Sequence, residues 1–204
     1  MSQKKMFVSL RPNIPGTDEL FFDISELSRL GKESNQKQIE YAGIFRTNRF
    51  ENTLTFVPKL TATGGVDSVT LPNERQTFHT HPRECNKLSD CSIIPPSADD
   101  MEIFARRNDT NVVISKYYTY FVKKKHIDDE NTYQNSKIVK EFYDKCEKYF
   151  DSISKNPDIY HDIFTYGSRI LNYFTIYRFD NQECLHPISK EHVQKLELDN
   201  ITVY

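Results

Sequence analysis

Two histidines, His79 and His81, stand one residue apart in the stretch Phe-His-Thr-His-Pro at 78–82. The residues at 75–81 predict a β-strand, and side chains two residues apart on a strand point to the same face. Two imidazoles on one face can supply half of a tetrahedral zinc site. Because Pro82 has no backbone N–H to donate, we expect the strand to end there, with both histidines at its end.

A second candidate is the Ser-Ala-Asp-Asp sequence at 97–100, which follows a proline and precedes an amphipathic run. Ser97 suits the N-cap of a helix, and Asp100 three residues later completes a pair of the capping-box kind. The pattern predicts a helix from Ser97 to about Arg107. Such a helix start needs no metal, but it can also hold an aspartate rigidly enough to serve as a third ligand.

The third candidate is Glu40, in a segment at 37–46 that predicts a strand. Glu40 would share a strand face with Ala42 and Ile44, and a carboxylate on an apolar face is unfavourable unless it is paired or exposed. Gly43 weakens a strand and often marks the close approach of another backbone. Glu40 is therefore either an edge residue in water or a functional carboxylate.

The rest of the chain predicts alternating strands and helices. Strands are predicted at 6–10, 37–46, 52–60, 68–71, 75–81, 111–123 with a turn near Lys116, and 173–179; helices are predicted at 23–33, 97–107, 136–153, 159–171 and 189–197. Short connections between the strands from 37 to 81 favour antiparallel pairing. We expect an α+β (mixed α/β) class, with a mostly antiparallel central sheet flanked by helices.

The composition limits the classes of partner. The chain has 204 residues, which suits one domain, and its formal charge of −2 with a pI of about 6.3 offers no general attraction to nucleic acid. No run approaches the ~18 apolar residues of a membrane span, and the N-terminus is too polar for a signal peptide. Four cysteines are too few for a disulfide scaffold of this size. We therefore expect an intracellular protein of the cytoplasm or nucleus, without nucleic-acid binding or a membrane span.

Taken together, the three candidate segments resemble the JAMM/MPN family of zinc metalloproteases. The family pattern is Glu-x-x-Gly-hydrophobic, then His-Ser/Thr-His-Pro, then Ser-x-x-Asp. The same order occurs here as Glu40-Tyr-Ala-Gly43-Ile, His79-Thr80-His81-Pro82 and Ser97-Ala-Asp-Asp100. The resemblance covers about residues 23–123. It implies a JAMM/MPN-like core, of the cytidine-deaminase-like kind, at 1–123 of a single domain, with a mostly helical α/β extension at 124–204.

The resemblance implies a role for each residue of the pattern. His79, His81 and Asp100 would bind Zn²⁺ and leave one position for water, whose pKa zinc can lower to about 7. Glu40 would take the proton of that water and pass it to the leaving amine. Ser97 would hydrogen-bond the developing oxyanion or the water. The reaction would be hydrolysis of a peptide or isopeptide bond in a protein substrate, with ubiquitin or ubiquitin-like conjugates as one class.

Other zinc patterns fit less well. Nucleobase deaminases need His-x-Glu and Pro-Cys-x-x-Cys, and zincins need His-Glu-x-x-His. Here the third position of the first motif is histidine, and Cys85 and Cys91 are six residues apart. Those two cysteines remain an alternative second metal site, whereas Cys146 fits a helix core.

The chain departs from the family pattern in the 14 residues Arg83–Pro96, which form a longer link than is typical before Ser97. This segment predicts a surface loop beside the site. The loop would cover the metal, shape substrate choice or dock a partner. Similar insertions with cysteines occur in JAMM-like proteins of large DNA viruses, which implies packaging in a virion as one location. Only 38 residues separate Glu40 from His79, which leaves little room for a ubiquitin-gripping insertion.

Two other functions remain open at this level. The first is a structural or interaction module of a larger assembly, such as a virus particle, with little or no catalysis. The second is a metal-binding protein in which the long loop blocks the fourth coordination position.

Overall fold

Strands of the described chain form one mixed sheet with helices on both faces. The computed structural model describes residues 7–10, 20–50, 53–82, 96–107, 110–115, 118–124, 132–153 and 173–180. The strands within these ranges are β1 (Phe7–Leu10), β2 (Leu20–Asp23), β3 (Tyr41–Phe50), β4 (Thr53–Thr63), β5 (Gln76–Thr80), β6 (Thr110–Ile114), β7 (Tyr118–Lys124) and β8 (Phe174–Asp180). The helices are α1 (Ile24–Lys37), α2 (Ala98–Arg107) and α3 (Thr132–Ile153).

The strand order across the sheet is β1-β2-β4-β3-β5-β6-β7-β8. The pairs β2–β4 and β5–β6 are parallel, and the other five pairs are antiparallel. The predicted mixed α/β class and the mostly antiparallel sheet are therefore confirmed. The parallel register of β5 on β6 matters for the site, because it places the end of β5 beside the end of β6.

Two apolar clusters cover the two faces of the sheet. One lies under α1 and includes Phe22, Leu27, Leu30, Phe45, Phe56, Phe78, Val112, Ile114 and Phe121. The other lies under α2 and α3 and includes Met101, Phe104, Val113, Tyr120, Val122, Val139, Phe142, Tyr143 and Phe174. Strand β6 contributes alternate residues to both clusters, as expected for a strand that helices cover on each side.

Helix α1 begins as predicted and ends later than predicted. Asp23 caps it, and its carboxylate accepts a hydrogen bond of 3.1 Å from the backbone N–H of Ser25. The helix continues to Lys37 and ends at Gln38, whose φ of 54° is left-handed. The prediction that a strand begins at 37 with Glu40 in its middle is therefore wrong: Glu40 lies just before β3.

The strand predicted at 68–71 is also wrong. The chain turns at Gly65, whose N–H donates to the carbonyl of Ser68 at 2.9 Å, and residues 68–72 carry no regular structure. Strand β3 already pairs with β4 on one edge and with β5 on the other, so no edge of β3 is left for a further strand. Strand β2 was not predicted.

The described parts of 124–204 join the same core. Helix α3 packs on α2, and β8 extends the sheet beside β7, both close to where the sequence predicts them. The predicted helices at 159–171 and 189–197 lie outside the described residues, as do Arg83–Pro95 with both of their cysteines and the side chain of Cys146. Among the described residues, no helix is long and apolar enough to cross a membrane.

Candidate metal centre

Strand β5 brings the two histidines to one face, as their spacing predicts. His79 is the fourth of its five residues, and His81 continues the pairing with β6 because its N–H donates to the carbonyl of Ile114 at 2.8 Å. The two Nε2 atoms lie 2.9 Å apart. Phe78 and Thr80 belong to the opposite face, where Phe78 packs in the cluster under α1. Both imidazoles therefore face the α2 side at the end of the strand.

The first turn of α2 holds the carboxylate of Asp100 in place. The N–H and the hydroxyl of Ser97 each donate to Asp100 Oδ2 at 2.8 Å, and the N–H of Asp100 donates to Ser97 Oγ at 3.1 Å. This is the reciprocal pairing of a capping box. The neighbouring Asp99 is exposed and pairs instead with Lys140 on α3. The capping interactions thus select Asp100, and not Asp99, as the carboxylate that faces the histidines.

His79, His81 and Asp100 form a group that could hold a metal ion. His79 Nε2 lies 3.3 Å from Asp100 Oδ1, and His81 Nε2 lies 3.2 Å from Asp100 Oδ2. Tetrahedral coordination with bonds of about 2.0–2.1 Å separates neighbouring ligand atoms by about 3.3 Å. The three side chains therefore have nearly the mutual spacing that one small divalent cation requires.

The electrostatics of Asp100 also favour a bound cation. Burial alone would raise the pKa of this carboxyl, but the charges and hydrogen bonds of His79 and His81 outweigh burial and hold its pKa well below the usual range. Asp100 is therefore an anion in the folded protein. Two imidazole nitrogens and one carboxylate oxygen are a donor set typical of zinc sites with an open fourth position.

One imidazole nitrogen of the group lacks a partner. Nδ1 of His81 is buried and makes no hydrogen bond within the described part of the chain. Buried polar atoms without partners are uncommon, and an ordered water is a usual reason for them. Because Nε2 is the nitrogen that faces Asp100, the unpaired Nδ1 would hydrogen-bond a water or another group behind the site, and it would not bind the metal ion itself.

Glu40 is held beside this group by the end of β4. Its N–H donates to the carbonyl of Gly65 and its carbonyl accepts from the N–H of Gly64, both at 2.8 Å. A Cβ at Gly64 would lie 2.0 Å from the carbonyl oxygen of Ser68, so the close approach requires glycine. The side chain of Glu40 is nearly buried, with 7% of its residue surface exposed.

The surroundings of Glu40 shift its titration strongly. The pKa of Glu40 in the metal-free protein is raised to about 7: burial is the main cause, the charge of His81 acts in the opposite direction, and the charges of Asp100 and Asp67 add to the rise. A carboxyl with a pKa near neutrality can take and return a proton under physiological conditions, as a general base must.

A buried hydrogen-bond relay joins the histidine strand to the backbone on both sides of Glu40. Thr80, between the histidines, accepts from the N–H of Tyr41 at 2.9 Å and donates to Ser34 Oγ at 2.6 Å. The Ser34 hydroxyl donates in turn to the carbonyl of Ile39 at 2.7 Å. Tyr41 and Ile39 are the two chain neighbours of Glu40, so the relay fixes the position of Glu40 relative to β5.

The five residues that the sequence singles out all line one cleft of about 490 Å³. They are Glu40, His79, His81, Ser97 and Asp100. One wall is the irregular segment 66–71, and the other is formed by α2, including Ile103 and Arg107.

The sequence pattern did not predict either wall of the cleft or the Ser34–Thr80 relay. Alternation on β5 already requires Thr80 to be buried on the α1 face, and a buried hydroxyl needs a partner.

Comparison of the chain with models of known protein families gives no match, and comparison with curated proteins gives none either. The function is therefore argued from the fold and from the geometry of this cleft.

Proposed function

We propose that the chain is a zinc-dependent hydrolase of the JAMM/MPN type that cleaves peptide or isopeptide bonds. The observation that carries the proposal is that the nearly buried carboxyl of Glu40 lines the same cleft as the His79–His81–Asp100 group, with a pKa raised to about 7 in the metal-free protein. A ligand group alone would fit a structural metal site equally well. An adjacent buried carboxyl with a shifted pKa is what hydrolysis needs in addition.

The roles follow from what each side chain can do. His79, His81 and Asp100 bind the ion, which when present supplies a Lewis acid that polarises the scissile carbonyl and acidifies water. Glu40 accepts a proton from the attacking water and returns it to the leaving amine, so that water and amide become carboxylic acid and amine. A positive ion in the cleft also favours the anionic form of Glu40, which prepares it to act as the base.

Ser97 has a different first task from the one that the resemblance implies. Its hydroxyl donates to Asp100 Oδ2, and its Oγ accepts from the N–H of Asp100. In our proposal Ser97 therefore holds the aspartate ligand. The role of oxyanion donor would require the hydroxyl to turn away from Oδ2 during the reaction.

The metal part of the proposal is tested by zinc affinity. Asp100→Asn keeps the shape of the side chain and removes its charge, so we expect zinc affinity to fall by more than about 100-fold, since even changes around the ligands lower affinity 10–100-fold. Asp99→Asn is the matched control, because Asp99 also lines the cleft but its carboxylate pairs with Lys140, and it should bind zinc like the wild type. Equal affinity of the two variants would contradict the assignment of Asp100 as a ligand.

The catalytic part is tested by hydrolysis. The zinc-loaded protein is incubated with peptides and with isopeptide-linked ubiquitin chains, and Glu40→Gln is compared with Glu74→Gln, an exposed site away from the cleft. We expect Glu40→Gln to retain zinc and to lose about 10²–10⁴-fold in rate, the scale of general-base catalysis, while Glu74→Gln keeps the activity. Zinc binding without any cleavage that depends on Glu40 would favour a metal-bound interaction module instead.

A further inference from the structure

We propose that the cleft selects substrates that carry an apolar residue next to the scissile bond and a carboxylate about three residues from it, and that Arg107 binds this carboxylate. The inference rests on the proposed function, because it assumes that the scissile bond of the substrate lies at the His79–His81–Asp100 group. It adds a substrate class that neither the ligand group nor Glu40 defines.

The spacing comes from α2. Asp100, Ile103 and Arg107 all line the cleft, at helix positions three and seven residues apart. With a rise of 1.5 Å per residue, Ile103 lies about 4.5 Å and Arg107 about 10 Å along the axis from the aspartate. An extended peptide advances about 3.3 Å per residue, so Arg107 is level with the third residue from the scissile bond.

The cleft has an apolar part. Ile103 on α2 and Leu71 on the opposite wall both line it, and both are half-buried against the core cluster under α2 and α3. Each side chain therefore presents a fixed apolar surface to the cleft. A substrate side chain between the metal group and Arg107 would remove this surface from water, which favours an apolar residue there.

Arg107 is available for a ligand, unlike its neighbour. Arg106 is tied down, since it pairs with Glu102, donates to Ser136 Oγ at 3.1 Å and lies over the ring of Tyr133. Arg107 is exposed and makes no ion pair within the described ranges. The helix explains the difference: the residue four positions before Arg106 is Glu102, whereas the one four positions before Arg107 is Ile103.

The chemistry of the ligand follows from the side chain. A guanidinium binds a carboxylate through two parallel hydrogen bonds, which makes this pairing stronger and more directional than pairing with a neutral amide. The helix dipole also favours a cation in the last turn of α2, but that interaction would stabilise Arg106 and Arg107 alike. Only Arg107 lines the cleft, and a stabilising role alone would not discriminate between substrates.

A binding experiment tests the inference without cleavage. Zinc-loaded Glu40→Gln protein is titrated with labelled peptides of uncharged Leu, Ala and Ser, blocked at both ends, each of which contains a single Glu, Gln or Lys, and anisotropy is measured. We expect the Glu peptide to bind about tenfold more tightly than the Gln peptide, the scale of a charge-assisted hydrogen bond. Adding Arg107→Ala should remove this preference, and Arg107→Glu should transfer it to the Lys peptide.

The control is Arg46→Ala, which removes an exposed arginine of β3 that does not line the cleft. It should leave the preference for Glu intact. Equal affinity for the Glu and Gln peptides, a preference that survives Arg107→Ala, or no binding of any peptide would overturn the inference. A peptide with only uncharged side chains, a blocked N-terminus and a free C-terminal carboxylate distinguishes the two sources of the charge: tight binding of this peptide assigns Arg107 to chain ends, and tight binding of the internal Glu alone assigns it to acidic side chains.

Cleavage by the wild-type protein separates the two proposals. If cleavage depends on Glu40, mass spectrometry should place the cut about three residues from Glu and beside Leu, and cuts without this preference would overturn only the substrate inference. If neither the peptides nor the ubiquitin chains are cleaved but the Glu preference in binding depends on Arg107, the hydrolase proposal fails and the carboxylate site stands.

Discussion

The two faces of strand β5 are built in opposite ways. On the α1 face, Phe78 is fully buried with its ring 5.5 Å from that of Phe45, and the hydroxyl of Thr80 both accepts and donates a hydrogen bond. On the α2 face, the Nε2 atoms of His79 and His81 meet at 2.9 Å, and Nδ1 of His81 has no partner within the described residues. One face is packed and satisfied, whereas the other is polar and incomplete.

The difference teaches where stability and chemistry reside. The buried carboxyl of Glu40 and the unpaired Nδ1 of His81 are unfavourable to the metal-free fold, because each loses its interactions with water on burial without a compensating partner. The packed face of β5 compensates for this loss of stability, because its buried side chains alternate along the strand with those of the polar face. We therefore expect substitutions on the two faces to separate stability from metal binding.

The largest expected effect on stability comes from Phe78→Ala. Truncation of a buried phenylalanine removes about 3–5 kcal/mol from the free energy of unfolding. In the metal-free protein, His81→Ala should cost less, about 1–3 kcal/mol, because the loss of its interaction with Asp100 is partly offset by the removal of a buried nitrogen without a partner. Urea denaturation with a chelator present measures both values, and a loss for His81→Ala as large as that for Phe78→Ala would refute the contrast between the faces.

A smaller effect should follow from Thr80→Val, which breaks the relay on the packed face. Valine keeps the shape, but it leaves the N–H of Tyr41 without its acceptor and Ser34 Oγ without its donor, so we expect a loss of about 1–3 kcal/mol. Thr80→Ser retains the hydroxyl and should recover most of this stability. If the relay also positions Glu40, Thr80→Val should lower kcat with little change in KM or in zinc affinity. An unchanged kcat would limit the relay to a structural role.

Much of the metal group could be predicted because local rules determine it. Alternation along a strand puts His79 and His81 on one face, and the capping pattern puts Ser97 at the start of α2 with Asp100 turned towards it. Each rule depends only on residues within four positions of one another. The mixed α/β class follows in the same way from the alternation of strand and helix patterns.

Features that depend on contacts between residues far apart in the chain could not be predicted from such local rules. The strand predicted at 68–71 has suitable residues, but β3 already pairs on both edges, and only the complete sheet shows this. The left-handed cap at Gln38 moves Glu40 out of β3, and Gly64 and Gly65 then bind its backbone from the end of β4. The sequence indicates glycines there, but not which residue they contact.

The most specific effect is no larger than that of Thr80→Val, and it concerns the titration of Glu40 in the metal-free protein. Its pKa is about 7 in the folded state against 4.5 as the ordinary value, so between these pH values the folded state binds more protons than the unfolded state. The wild type should therefore lose stability as pH rises from about 4.5 to 7, and above pH 7 the loss is complete. Glu40→Gln has no such carboxyl, so its stability relative to the wild type should increase by about 1–3 kcal/mol over this range, allowing for partial solvent screening.

Denaturation curves at a series of pH values measure this difference directly, because most other titrating groups are common to both proteins and cancel. Zinc should reduce the effect at Glu40, since a cation in the cleft stabilises the carboxylate and lowers its pKa. A difference for Glu40→Gln that stays constant from pH 4.5 to 7 would show that the pKa of Glu40 is not raised in the folded protein. The cleft would then lack the buried carboxyl that we propose as its general base.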